Sequence, residues 1–148
     1  MKAKKLMTPR PYVVLPDETV LRAAEIMRDQ DIGAVPVVDG RESMTLLGVI
    51  TDRDLVVRHL AGRHAHDCAV REHMTTDPLA TVRPGASIDE VMKAMKRARV
   101  RRVMVTDGDG VLHGVIAQAD LLREEGEDHP RRLEKVLETI SEPVGAPR

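Results

Sequence analysis

Aromatic residues are almost absent from this chain of 148 residues, which has no Trp, no Phe and a single Tyr, Tyr12. Proteins that bind single-stranded nucleic acid commonly stack the bases on aromatic side chains, and this sequence cannot build such a platform. The hydrophobic core must therefore be aliphatic, made of Val, Leu, Ile, Ala and eight Met residues.

Cysteine, excess charge and long apolar runs are equally scarce. The single cysteine, Cys68, excludes an intramolecular disulfide and fits a reducing compartment. With 23 basic and 24 acidic residues, the formal net charge is −1, which gives no general attraction to nucleic acid or an anionic membrane. No apolar run approaches the ~20 residues that span a bilayer. We therefore expect a cytoplasmic protein that has neither nucleic acid nor a membrane as its partner.

The most informative feature that is present is an internal repeat. The segment Gly48–Leu55, GVITDRDL, returns 66 residues later as GVIAQADL at Gly114–Leu121, and Met7-Thr8 returns 67 residues later as Met74-Thr75. A repeat of this length is too long for a solenoid unit and too short for an ordinary independent domain. It predicts two half-modules that share one core and pack with pseudo-twofold symmetry.

Each copy is predicted to have the order β-α-β-β-α. In the first copy, alternating proline, β-branched and turn residues predict strands at 12–15, 34–38 and 46–50. One helix is predicted to begin after residues 16–19, where acidic residues and a hydroxyl precede an apolar periodic stretch, and to end at Gly33. Another helix is predicted to follow Thr51. In the second copy, strands are predicted at 79–82, 102–106 and 111–116. One helix is predicted to begin after Ser87, with Ser87 and Glu90 as a capping box, and another at 118–125.

The fold class that follows is α/β (α+β), with two such motifs and an added C-terminal helix. The predicted boundaries are motif 1 at 5–62, a linker with one helical turn near Val70 at 63–73, motif 2 at 74–126, and a C-terminal helix and tail at 127–148.

Thr51 and Asp54 are the first candidate ligand-binding residues, because they stand where the last strand of the first copy leads into a helix. A carboxylate such as Asp54 accepts two hydrogen bonds from a vicinal diol, the group that a ribose presents, and a hydroxyl such as Thr51 donates to an oxygen of phosphate or ribose. Val14, Val35 and Pro36 are predicted as apolar walls for a flat base. The alternative is that Thr51 and Asp54 only cap the helix.

These segments resemble the cystathionine β-synthase (CBS) domain, on the strength of residues 48–55, residues 34–39 and the Met-Thr openings in duplicate. From about Lys5 to Glu125 the chain looks like a tandem CBS pair, or Bateman module. It is similar to stand-alone bacterial CBS proteins, including the hypoxic response protein type. The resemblance implies a non-enzymatic sensor of an adenosine-containing ligand, namely AMP, ADP, ATP, S-adenosylmethionine or an NAD-like molecule. It also implies no required cofactor, a homodimer and an unidentified protein partner.

The resemblance also implies that the two copies differ. Thr51 and Asp54 match the family motif Thr/Ser-x-x-Asp, which binds ribose and phosphate. In the second copy Asp120 matches, but Ala117 stands in place of the hydroxyl residue. This loss weakens the prediction of a second site and favours the alternative of a ligand-free CBS pair that serves interaction and dimerisation in a stress response.

Arg101 and Arg102 stand where family members often place a basic pair that reaches phosphates. The resemblance therefore implies an intact ribose site on one half and a basic phosphate region on the other. With Arg97 and Arg99 nearby, the alternative is a solvated basic face. This arginine cluster is the only feature that supports DNA binding, because no helix-turn-helix pattern accompanies the cluster.

His64, His66 and Cys68 form a His-x-His-x-Cys run in the linker. Imidazole and thiolate suit Zn or Ni, but the spacing matches no tetrahedral structural site. A flexible polar linker without a metal is therefore the favoured interpretation. No Ser-His-Asp order, phosphate-binding glycine loop or carboxylate pair stands out, so we expect no enzymatic activity.

Overall fold

The computed structural model describes residues 1–128 together with Arg131, Glu134 and Glu138. The apolar face predicted for the C-terminal helix, at Leu133, Val136, Leu137 and Ile140, lies outside the described residues. Within the described part, no helix combines the length and the apolar character that crossing a membrane requires.

Five α-helices and six strands, with two further helical turns, make up the described chain. In chain order they are α1 Ala3–Leu6, β1 Thr8–Pro9, α2 Val20–Gln30, β2 Ala34–Val38, β3 Leu46–Thr51, α3 Asp52–Asp54, a π-helix Leu55–Leu60, a 3₁₀ turn Val70–Glu72, β4 Thr81–Val82, α4 Ile88–Ala98, β5 Arg102–Thr106, β6 Leu112–Ala117 and α5 Gln118–Asp128. The mixed α/β fold class is confirmed.

The chain forms two compact units. The first unit comprises Arg10–Leu79 and Gly108–Leu112, and the second comprises Met1–Pro9, Ala80–Asp107 and the described residues from His113 onward. Met7-Thr8, which opens the first copy, therefore lies in the unit that contains the strands of the second copy. Met74-Thr75, which opens the second copy, lies in the unit that contains the strands of the first copy. The boundaries predicted from the sequence place each opening in the motif that follows it.

The first unit is built on the antiparallel pair β2–β3, in which Ala34 faces Thr51 and Val38 faces Leu46, with a bulge between Val37 and Val38. Thr19 is the N-cap of α2, and its side chain accepts a hydrogen bond from the backbone N–H of Arg22. Its apolar stripe packs with the strands into one aliphatic cluster. The buried members are Val14, Ala23, Ile26, Met27, Val35, Val37, Ile50 and Val70.

The predicted strand at 12–15 is wrong, because only Val14 pairs, through a parallel bridge to Val37. The N–H of Val14 donates to the carbonyl of Pro36, and the N–H of Val38 donates to the carbonyl of Val14, at 3.0 and 3.1 Å. The next rungs of this parallel ladder would need N–H groups from Pro36 and Pro16, which have none. The pairing therefore stops after one residue.

The helix predicted after Thr51 is present but changes type. Three residues of α-helix, Asp52–Asp54, lead into the π-helix Leu55–Leu60, where the N–H of Ala61 donates to the carbonyl of Val56 at 2.9 Å. The helical turn predicted near Val70 is confirmed as a 3₁₀ turn.

The second unit has a sheet of order β1-β6-β5-β4, with β1 antiparallel to β6 and β4 parallel to β5. The predicted capping box of α4 is confirmed: the Ser87 hydroxyl accepts from the N–H of Glu90, and the Glu90 carboxylate accepts from the N–H of Ser87. The core is again aliphatic. Its buried members are Ala3, Ala86, Ile88, Val91, Ala94, Met95, Val103, Val105, Ile116 and Leu121.

Gly48 and Gly114 hold equivalent places on β3 and β6, where a Met-Thr opening crosses at close range. A Cβ on Gly48 would lie 2.7 Å from the backbone oxygen of Thr75, and a Cβ on Gly114 would lie 2.7 Å from that of Thr8. The repeat therefore keeps glycine here because each sheet must admit the backbone of the crossing segment.

We predict that Gly48→Ala and Gly114→Ala each lower the free energy of unfolding by about 1–3 kcal/mol, since the obstacle is backbone rather than a movable side chain. Gly85→Ala is the matched control, because nothing lies within 4 Å of its added Cβ. Urea unfolding followed by circular dichroism measures all three variants. Equal midpoints for the three would contradict the close crossing.

Candidate ligand-binding site

Thr51 and Asp54 hold each other at the junction of β3 with α3. The Thr51 hydroxyl accepts a hydrogen bond from the N–H of Asp54, and the Asp54 carboxylate accepts one from the N–H of Thr51, both at 3.0 Å. This reciprocal box satisfies two backbone donors that the helix start leaves without partners. The capping role foreseen from the sequence is therefore present in the structure.

Asp54 has further partners that sequence reasoning missed. Asp54 is only 6% exposed, and the hydroxyl of Thr75 donates to both of its carboxylate oxygens at 3.1 and 3.2 Å. The Nε atom of Arg58 lies 3.6 Å from Asp54 Oδ1. These donors and this charge offset the cost of burying a carboxylate. The i, i+4 spacing gave a signal for Arg58, whereas Thr75 is 21 residues away in sequence.

Val14, Val35 and Pro36, the predicted walls of a base pocket, lie in the same small sheet as Thr51. Val35 pairs with Ile50, the residue before Thr51, and Val14 lies on the other side of β2. Both valines are completely buried in the core of the first unit. Their role as pocket walls remains a prediction.

In the second unit, the equivalent junction keeps only half of the box. Asp120 Oδ2 accepts a hydrogen bond from the N–H of Ala117 at 2.8 Å, and Ala117 offers no hydroxyl in return. The Asp120 side chain is 17% exposed, against 8% for that of Asp54, and lies 3.5 Å from Arg123 Nη2. The two junctions therefore differ in polar partners as well as in sequence.

Arg101 and Arg102 belong to the second unit with Asp120, not to the first unit with Thr51 and Asp54. The carbonyl of Arg101 accepts a hydrogen bond from the N–H of Gln118, the first residue of α5, at 2.8 Å. The backbone of Arg101 therefore lies at the same strand-to-helix junction as Asp120. An open cavity of approximately 370 Å³ elsewhere in this unit is lined in part by Arg83, Lys93 and Arg97.

The histidine-rich segment from His59 to His73 is folded back on itself in the first unit. Ligand atoms of His59, Cys68 and His73 all lie within 4.8 Å of one another, and His59 Nδ1 is 3.3 Å from His73 Nε2. Cys68 is thus grouped with His59 and His73 rather than with both histidines of the His-x-His-x-Cys run. His64 contributes a ring 4.7 Å from that of His73, and His66 is exposed.

Burial lowers the pKa of His73, and the nearby His64 and His59 lower it further. The lowered pKa favours the neutral form of this imidazole at neutral pH, and in that form one of its two ring nitrogens is an acceptor. Burial also raises the pKa of the Cys68 thiol, with added repulsion from the carboxylates of Glu72 and Asp67.

The fold defines a duplicated α/β module in which the last strand of each copy leads into a helix, with Asp54 and Asp120 at the two junctions. The model of the CBS domain family matches residues 3–59 and again residues 70–127. The chain therefore belongs to the CBS-domain family and carries a tandem pair of the domains.

Its relatives agree with this assignment. The chain is 36% identical to the uncharacterized protein YlbB of Bacillus subtilis over 141 residues, which cover 95% of this chain and 92% of that protein. It is 36% identical to hypoxic response protein 1 of Mycobacterium tuberculosis over 106 residues, 72% of each chain. The predicted resemblance to a tandem CBS pair of this type is confirmed.

Solved structures share the fold. A crystal structure of hypoxic response protein I with two coordinated zinc ions has a TM-score of 0.74 at 32% identity, covering 83% of this chain and 98% of that one. A crystal structure of CBSX2 in complex with AMP has a TM-score of 0.72 at 28% identity, covering 85% of this chain and 96% of that one.

We predict that Thr51→Ala lowers the free energy of unfolding by about 1 kcal/mol, because the N–H of Asp54 loses its acceptor. Thr51→Ser keeps the hydroxyl and is the matched control, expected to change stability by much less. Thermal and urea unfolding measure the difference. If Thr51→Ala and Thr51→Ser unfold at the same midpoint, the cap does not stabilise this junction.

Proposed function

We propose that this protein is a regulatory module that binds an adenosine-containing ligand, with the carboxylate of Asp54 accepting the ribose hydroxyls. The observation that carries the proposal is the Asp54 environment, a buried carboxylate that already accepts a hydroxyl from Thr75 at 3.1 and 3.2 Å. The AMP complex of the related CBSX2 supports adenosine as the ligand class.

The chemistry of exchange follows from these contacts. The Thr75 hydroxyl uses acceptor positions on Asp54 that a ribose hydroxyl would use, since both are neutral O–H donors. A vicinal diol brings two donors to the two carboxylate oxygens, whereas Thr75 brings one. AMP, ADP, ATP, S-adenosylmethionine and NAD all present a ribose diol, so this contact selects the class and leaves the individual ligand to other contacts.

The second junction takes a different or weaker part in this proposal. Ala117 provides no hydroxyl, and one neutral hydrogen bond is worth about 0.5–1.5 kcal/mol, or about two- to tenfold in affinity. Asp120 remains as a carboxylate, and the positive charges of Arg101 and Arg102 in the same unit suit a phosphate. We therefore expect unequal sites.

The output of the module is a population shift. A ligand with different affinities for two arrangements of the protein stabilises one of them, and a protein partner reads that state. We include a cytoplasmic homodimer in the proposal. Val56, Val57 and Leu60 on the π-helix are 56%, 51% and 70% exposed, and a second copy would bury this apolar surface.

We predict that isothermal titration detects binding of at least one ligand among AMP, ADP, ATP, S-adenosylmethionine and NAD. Asp54→Asn should weaken binding about 10- to 100-fold, because a hydrogen bond to a charged group is worth about 1.5–3 kcal/mol. The matched variant Asp120→Asn should weaken it less.

A 2′-deoxy nucleotide separates ribose recognition from indirect effects. The unsubstituted protein should prefer AMP to 2′-deoxy-AMP, and Asp54→Asn should lose most of that preference, because both changes remove the same contact. If Asp54→Asn keeps the full preference, the carboxylate does not bind the diol. Circular dichroism confirms that the variants are folded.

The second candidate function is a ligand-free interaction and dimerisation module. The saturation of Asp54 by Thr51 and Thr75, with Val14 and Val35 fully buried, favours it. A folded protein that binds no ligand of the panel would establish this alternative and overturn the nucleotide proposal.

A further inference from the structure

The segment from His59 to His73 gathers imidazole and thiol groups that nucleotide binding does not use. It holds four of the six histidines of the chain and the single cysteine. Its ends are fixed in the first unit by the π-helix that carries His59 and by the 3₁₀ turn Val70–Glu72 that precedes His73. The chain between them turns back so that distant residues meet.

Local geometry explains the reversal. The N–H of His64 donates to the carbonyl of His59 at 3.2 Å, and Arg63 adopts a left-handed conformation with φ of 58°. Gly62 has no side chain, and a Cβ there would lie 2.5 Å from the carbonyl oxygen of Arg58 and 2.8 Å from the ring of His64. A glycine at this position therefore allows His64 to fold over the turn.

The distances match those of a metal site. Tetrahedral zinc, with Zn–N of about 2.0–2.1 Å and Zn–S of about 2.3 Å, holds its ligand atoms roughly 3.3–3.8 Å apart. His59 Nδ1 and His73 Nε2 are 3.3 Å apart, and with Cys68 Sγ all three ligand atoms lie within 4.8 Å. Shifts of about an ångström would therefore bring Cys68 into the coordination shell.

The surroundings also suit a divalent cation. His73 is 4% exposed, while His59 and Cys68 are half-buried, so the group is partly shielded yet open to an entering ion. The carboxylates of Glu72 and Asp67 lie close enough to the Cys68 thiol to add negative charge around the sulfur. The cationic Arg58 is turned toward backbone oxygens, with Nη1 3.4 Å from the carbonyl of His73.

We propose that His59, Cys68 and His73 form a binding site for Zn²⁺, with His64 as the fourth ligand. Two imidazoles and one thiolate are the ligand types that zinc takes from proteins, and hard cations such as Mg²⁺ prefer oxygen. The His64 ring already lies 4.7 Å from that of His73 and 6.1 Å from that of His59. Metal binding displaces the proton of the Cys68 thiol to solvent.

The test is titration of the metal-free protein with Co²⁺ as a spectroscopic probe and Zn²⁺ as competitor. We expect one Co²⁺ per chain, thiolate-to-cobalt charge-transfer absorption, and intense d–d bands that report tetrahedral coordination. Zn²⁺ should displace the cobalt and raise the melting temperature, whereas Mg²⁺ should do neither. A weak octahedral spectrum without charge transfer would overturn the site.

Variants within the segment separate this site from adventitious binding by histidines. Removing a group that only orients a metal ligand costs about 10- to 100-fold in affinity, so Cys68→Ser and His59→Gln should each cost at least about a hundredfold. Cys68→Ser should also abolish the charge-transfer band. His66→Ala is the matched control, because His66 is an exposed neighbour outside the group, and it should leave affinity unchanged.

His64→Ala addresses the fourth ligand. We expect weaker binding and a changed d–d spectrum with the charge-transfer band retained. Equal losses for His66→Ala and Cys68→Ser would assign the binding to the exposed histidines and overturn the proposal. Nucleotide binding is measured separately, by titration of Asp54→Asn with nucleotides. A negative result in the cobalt titrations would therefore overturn the metal site without overturning the nucleotide proposal.

Discussion

The hydrogen bond from Thr75 to Asp54 is the interaction on which the candidate site of the first unit depends. It joins the Met-Thr opening of the second copy to the strand-to-helix junction of the first, across 21 residues of sequence. The close crossing at Gly48 places Thr75 within reach, and the capping box with Thr51 fixes the orientation of the carboxylate. A buried carboxylate without these donors would be costly, so the contacts that stabilise the unit are also the ones that our proposal assigns to ligand binding.

The sequence predicted most of the elements because periodicity and caps are local signals. The box of Ser87 and Glu90 and the antiparallel pair β2–β3 lie where residue patterns place them. The prediction of a strand at 12–15 was wrong for a non-local reason. Pro36, on the partner strand, lacks the N–H that a second pair of backbone hydrogen bonds would need. For the site, the motif Thr51 to Asp54 was visible, but Thr75 as a partner of Asp54 depended on which unit its segment joins.

The histidine-rich segment illustrates the same limit. Linear spacing grouped His64, His66 and Cys68, whereas the folded turn groups Cys68 with His59 and His73. Arg58 connects this group with the ligand junction: its guanidinium lies 3.6 Å from Asp54 and donates to the carbonyls of His73 and Met74. Changes at one group therefore have a short physical route to the other.

In the proposed complex, a ribose hydroxyl takes the place of the Thr75 hydroxyl on Asp54. The most direct measurement is the affinity for the tightest ligand of the panel in Thr75→Val, which removes the competing hydroxyl at nearly constant volume. We expect tighter binding, by up to about tenfold for one hydrogen bond, together with lower stability of the ligand-free protein. Weaker binding by a folded Thr75→Val protein would contradict the exchange.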